Sequence, residues 1–240
     1  MTPEKLFANL LAREPGRPFV TYYDEQTGER SELSAKSLAN WVAKTHFLLT
    51  DELGLGVGNT ALIALPAHWI SVPALLGCLT AGLALTQGGD GAPLADVAFV
   101  TADTVLAAEG VENVYATATA SAAVGYPDGV PAGALDYVAA VRPQADTWSA
   151  VRLVASDDDP CLYGRARGEV VRAASERARE LGLAAGARLL STRPWLGADS
   201  WLDTLLVPLA VGGSIVFVAN CTDPTVLERR ALQERVTNRI

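Results

Sequence analysis

His46 and His68 are the only histidines in the chain, so any nucleophile–base–carboxylate relay would have to run through one of them. His46 falls inside a helical stretch, where it is expected to pack or face solvent. His68 follows Pro66 at the carboxyl end of an apolar run, the edge where α/β sheets take their ligands, although a polar side chain also suits a helix start. Arg165 and Arg167, with Gly164 and Gly168, form a short run in which cations and a closely approaching backbone could meet a phosphate. The competing expectation is a shortened connection with two solvated arginines that play no part in nucleotide binding. Gly54, Gly56 and Gly58 have the spacing of dinucleotide-binding glycines, but those follow a strand and open a helix. Here the order is reversed, which is the grammar of a helix C-cap and turn. Cys78, Cys161 and Cys221 lie far apart and odd in number, so neither a zinc site nor a disulfide framework is expected. They read as small buried groups in a reducing compartment.

Composition narrows the classes further. A chain of 240 residues with 50% hydrophobic content can bury a sizeable core. Its 19 Lys and Arg against 27 Asp and Glu give net charge -8, the wrong sign for a grip on phosphate backbones, so nucleic acid is not an expected partner. The opening residues lack a basic stretch followed by an apolar one, and a cytoplasmic location is expected. Between Leu53 and Gly89 there is no Asp, Glu, Lys or Arg, a run long enough to raise a membrane span. Pro66 and Pro73 interrupt it, glycines open it and its nearest charged neighbours are acidic, so a buried segment is expected and no membrane.

These residues need a scaffold, and its pattern is readable. Phe19 to Tyr23 is a strand entering a turn at Asp24–Gly28, Ser34 caps a helix that buries Leu38, Val42 and Leu49, and Gly54 closes it. Ala61–Leu65, a helical stretch from His68 to Ala81 and Leu83–Leu85 then read as strand, helix, strand. Val97–Val100 and Val114–Thr117 are further strands. The same grammar returns 128 positions later, where Glu180–Gly186 echoes Glu52–Gly58 and Leu189–Pro194 echoes Ala61–Pro66, before a second apolar run at Ser214–Val218. Two copies imply two related α/β lobes rather than a solenoid. The expected division is a first lobe over 1–143, a connecting segment over 144–160 and a shorter second lobe over 161–240, each with mainly parallel strands flanked by helices. Asp223 and Pro224 start a last helix, on which Arg229, Arg230, Arg235 and Arg239 are expected.

The order of these pieces resembles the amino-terminal part of the adenylate-forming (AMP-dependent synthetase and ligase) enzymes. The resemblance rests on Thr21-Tyr22 before a hairpin, Glu32-Leu33 before a helix, Gly54-Leu55 with Gly58 before a strand, Thr80-Ala81-Gly82, Asp158-Asp159-Pro160, Leu181-Gly182-Leu183, Pro194-Trp195 and Pro208 to Gly213. It implies a pair of related α/β lobes and places part of an acyl or aromatic substrate pocket at Trp195, Asp199 and Trp201, the competing expectation being tryptophans that anchor lobe packing; His68, at its strand's carboxyl end, is the candidate from the first lobe. It also implies a Ser-, Thr- and Gly-rich loop ending in Lys that holds ATP phosphates, where this chain instead reads Cys161 to Glu169. The only lysines are Lys5, Lys36 and Lys44, and the chain ends at Ile240, before the family's Thr-Glu pair for magnesium, ribose-binding Asp and small carboxy-terminal domain. The expectation is a non-catalytic relative acting through binding or association, with no catalytic residue, no cofactor and no metal. ATP and Mg belong only to the contrary reading. Alternatives are a component of a split acyl-adenylating enzyme completed by another chain, or a small-molecule-binding module. With 19% charged residues and mean hydropathy +0.20, the surface is expected to be covered by a second copy or an unidentified protein. A homodimer would bury more than roughly 1,000 Å².

Overall fold

The computed structural model describes residues 1–88, 94–147 and 154–240, so Gly89 and part of the expected 144–160 segment lie outside the described residues. Helix α1 (Pro3–Arg13) precedes strands β1 (Pro18–Asp24) and β2 (Arg30–Ser34), an antiparallel pair around the Gly28 turn. Helix α2 (Ala35–Phe47) starts at Ser34, whose side chain accepts from the Ser37 amide as an N-cap should, and ends through a π-helical turn at Leu48–Glu52. Then come β3 (Thr60–Ala64), α3 (Ser71–Ala81) and β4 (Ala84–Thr86). Strands β5 (Val97–Val100), β6 (Asn113–Ala116) and β7 (Leu135–Asp136) lead to helix α4 (Tyr137–Val141).

The rest of the chain repeats that plan. A small hairpin, β8 (Pro160–Leu162) and β9 (Arg165–Ala166), feeds helix α5 (Arg167–Glu180) and strand β10 (Arg188–Ser191). A helical run follows as α6 (Ala198–Trp201), a π-turn at Leu202–Leu206 and α7 (Val207–Ala210), then β11 (Ser214–Ala219), α8 (Pro224–Gln233) and β12 (Asn238–Arg239). Pro208 accounts for the π-turn: with no N–H to donate, it displaces the helical ladder ahead of it, and the Val207 amide reaches back to Leu202. The repeat is visible in the backbone. Gly54 and Gly182 take φ of +66° and +63°, and Gly58 and Gly186 take +97° and +76°, so both copies turn from helix to strand through matched left-handed glycines.

The strands form two sheets, ordered β12-β10-β11-β1-β2 and β7-β6-β5-β3-β4-β8-β9, parallel except for the β1–β2 and β8–β9 pairs. The boundary expected over 144–160 does not separate them. Strands β1 and β2, from the first part of the chain, join β11, with Val20 opposite Ile215 and Tyr22 opposite Phe217. Strand β8, from beyond the boundary, joins β4 through Leu85 and Leu162. The physical reason is burial. Strand β1 is apolar on both faces and needs a neighbour on each side, whereas β2 reads Arg-Ser-Glu-Leu-Ser and suits a solvated edge.

All of α3 is buried, which explains the charge-free run: it is a core helix in a mostly apolar surround. Its 11 residues span roughly 16 Å, about half a bilayer's hydrocarbon core. Among the described residues no helix is long and apolar enough to cross a membrane. The terminal arginines are also placed differently from expectation, because α8 stops at Gln233. Arg235 and Arg239 lie beyond it, and Arg239 belongs to β12, which pairs with β10 and completes the five-stranded sheet.

Candidate binding cleft

The carboxyl ends of β1, β3, β10 and β11 and the segment after β5 converge on one cleft of about 790 Å³. In parallel sheets this edge is free of ladder partners, so loops leaving neighbouring strands can part and leave a depression. The floor carries Tyr22, Ile63 and Phe217, and the rim carries Asp24, Asp103 and Arg193.

His68 and Trp195 both line this cleft. The His68 ring lies 4.2 Å from the Tyr22 ring, and its Nδ1 accepts from the Ile70 amide at 3.2 Å. Since Nδ1 accepts, the neutral ring carries its proton on Nε2. Glu29 Oε2 is 3.8 Å from that atom, too far for a hydrogen bond, and among the described residues Nε2 has no partner. Glu29 itself is held by donors from Trp69 Nε1 and Ser31 Oγ. Trp195 is buried, donates through Nε1 to Thr204 Oγ1 at 2.9 Å and meets Phe217 edge to face. It forms a rigid wall.

Asp199 and Trp201 sit elsewhere. Asp199 is exposed on α6 and does not line the cleft. Trp201 is fully buried, its ring 6.0 Å from that of Tyr163, and it belongs to the core. The helical run turns its side chain inward, whereas Trp195 lies in the loop before that run. Arg193 was not singled out by the sequence. Its guanidinium donates to Asp203 Oδ2 at 2.7 Å, and Arg177 donates to both oxygens of the same carboxylate.

The segment that could have met a phosphate is closed on itself. Tyr163 and Gly164 take φ of +50° and +76°, the mark of a tight two-residue hairpin between β8 and β9. Beyond it the Ala166 amide donates to Glu169 Oε2, the Arg167 amide to the Asp159 carbonyl and the Gly168 amide to the Asp157 carbonyl. A phosphate cradle needs free amides, and these three are taken. A Cβ on Gly168 would stand 3.2 Å from the Asp157 side chain, so the glycine serves chain-to-chain packing.

Arg165 is exposed, but Arg167 is not the solvated side chain that was expected. It is fully buried and donates to Glu4 Oε2 at 2.8 Å, to the Leu79 carbonyl at 3.0 Å and to the Leu83 carbonyl at 2.8 Å. It therefore neutralises a buried carboxylate of α1 and caps the carboxyl end of α3, where a cation meets the helix dipole favourably. Glu4 lies 163 positions away, out of reach of any local pattern.

The cleft makes a pH prediction. Burial pushes His68 down to about 4 from its ordinary 6.5, with Glu29 pulling the other way. The folded-state value lies below the unfolded one, so stability is full above about pH 6.5 and falls as pH drops toward about 4. The loss should be about 3 kcal/mol. Urea titrations at successive pH values should show this slope, flattened in His68→Gln; equal slopes would remove His68 as its source.

No family model matches the chain. A TIGR03089 family protein of Mycobacterium tuberculosis is 42% identical over 235 residues, covering 95% of this chain and 93% of that protein. An acyl-CoA synthetase of Brucella canis superposes with a TM-score of 0.79 at 15% identity, over 100% of this chain and 47% of its own. Acetoacetyl-CoA synthetase from Streptomyces lividans gives 0.77 at 18% identity, over 100% and 42%. An anthranilate CoA ligase in complex with anthranoyl-AMP gives 0.69 at 15% identity, over 90% and 44%. The likeness to these solved structures is one of fold, and the chain spans less than half of their length.

Proposed function

This chain belongs to the TIGR03089 protein family on the fold of the amino-terminal part of adenylate-forming enzymes, and from that premise we propose that it binds a small apolar or aromatic molecule without activating it. One observation carries the reading: the cleft stays open at about 790 Å³ while the segment in the phosphate-loop position is a tight hairpin with its following amides already bonded. A pocket of that size lined by aromatic rings and a few polar groups suits a drug-sized ligand.

A nucleoside triphosphate with magnesium does not fit the residues present. Of the cations near the hairpin, Arg167 is sealed against Glu4. Lys44 spends its ammonium on the Arg142 and Gln144 carbonyls. Without positioned donors, charge developing in acyl transfer goes unstabilised, a loss of roughly 10²–10³ in rate for each missing donor.

The test is pyrophosphate exchange over a panel of carboxylic acids, with calorimetry against ATP and AMP on the same preparation. Exchange at the level of the blank and no saturable heat are expected. Acid-dependent exchange well above the blank would establish an adenylating enzyme and overturn the proposal.

A further inference from the structure

The charges around the cleft oppose its use for an anion. Asp24 and Asp103 stand on its rim, with Glu29 behind His68. Asp24 is fixed in place: its Oδ1 accepts from the Gln26 and Thr27 amides and from Asn220 Nδ2, and these bonds hold its carboxyl below the usual range against the opposing effect of burial. It is therefore charged at neutral pH. Arg193 is the one cation among the described lining residues, and its guanidinium is already bound to Asp203. His68 is neutral and offers only a donor from Nε2. The Tyr22 phenol reports the same field: burial, Asp24 and Glu29 all raise its pKa.

An anion entering here would lose water and meet two carboxylates, with Arg193, already engaged by Asp203, as the one cation among the described lining residues. A cation would meet those carboxylates in a cleft that Tyr22, Phe217 and Trp195 line, the aromatic surround an organic cation seeks. We infer that the cleft takes an organic cation: a protonated amine on an apolar or aromatic body, the nitrogen toward Asp24 and Asp103 and the body against Phe217 and Trp195. The inference rests on the small-molecule reading above and narrows it, since a free carboxylic acid becomes the disfavoured class.

Three matched probes decide the matter: 4-phenylbutylamine, 4-phenylbutanamide and 4-phenylbutyrate, titrated by saturation-transfer NMR and calorimetry at low salt. The amine should bind at least about tenfold tighter than the carboxylate, ~1.4 kcal/mol, with the amide between them. Salt should narrow that gap, because the discrimination is electrostatic. Asp24→Asn should weaken the amine about threefold or more and leave the amide unchanged. Asp103→Asn, at an exposed position, should act in the same direction and keeps the test open if the Asp24 variant does not fold. Equal or tighter binding of the carboxylate, or no change in the amine with either variant, would overturn the inference while leaving a binding cleft. Failure of all three probes at millimolar concentration would instead strike the small-molecule reading itself.

Discussion

Arg167→Ala should cost this protein about 3–5 kcal/mol of folding free energy, enough to leave a domain of ordinary stability partly unfolded. The guanidinium has no exposed surface and serves three acceptors at once: a buried carboxylate, the Leu79 carbonyl in the last turn of α3 and the Leu83 carbonyl just beyond it. Truncation leaves the Glu4 carboxyl buried without its partner, and it unties α1, α3 and α5, which meet around this pair. Removing both charges is a different experiment. Glu4→Leu with Arg167→Met exchanges the pair for packing of similar volume, and it should lose clearly less than Arg167→Ala alone. Urea midpoints of the two variants beside the parent provide the comparison. An Arg167→Ala protein within 0.5 kcal/mol of the parent, by roughly the scatter of surface substitutions, would return Arg167 to the solvent and reopen a role in phosphate binding.

Gly213→Ala should be nearly as damaging, and its neighbour supplies the control. A Cβ built on Gly213 falls 2.1 Å from the Ala187 carbonyl oxygen, a backbone atom that also accepts from the Ser214 amide at 3.0 Å. That carbonyl cannot move without disturbing the start of the β10–β11 ladder, in which Arg188 faces Ser214. A loss of about 3 kcal/mol is expected, at the upper end for overpacking. At Gly212 the space is open and only the left-handed backbone, φ +62°, resists a side chain. Gly212→Ala should therefore cost about 1 kcal/mol. The difference between two adjacent glycines is the measurement, and equal losses would sink the steric argument.

Much of the scaffold is local and could be read before any coordinates. Ser34 and Asp223 are short polar side chains ahead of helical periods, and both accept from amides of the first turn as such residues do. The segment 97–100 is an uninterrupted apolar run, and it forms a strand buried along its length. The echo of residues 52–58 in 180–186 corresponds to matched left-handed glycines. The resemblance to adenylate-forming enzymes drew on the same ordered pieces and led to the fold that the superpositions show. The start of α3 was expected at His68 and lies at Ser71, because the intervening turn is tied by His68 Nδ1 to the Ile70 amide rather than by the helical ladder.

What the chain's own pattern determined, then, was the kind and order of elements, the sites of their caps and turns, and the duplication that joins them, since all of these depend on residues within a few positions of one another. Only the tertiary structure decided which sheet each strand would enter, because β1 finds β11 across nearly the whole chain and nothing near Val20 names Ile215 as its neighbour. The same holds for charge. Arg165 and Arg167 are indistinguishable in composition and differ by two positions, yet one is exposed and the other buried. The reason is that Arg165 lies on β9, the exposed edge of its sheet, whereas Arg167 opens α5, and a buried cation is tolerable only where its counter-charge arrives, here from Glu4 at the far end of the sequence. Trp195 and Trp201 are both buried, yet only Trp195 lines the cleft, because it lies in the loop ahead of α6 whereas Trp201 lies within that helix.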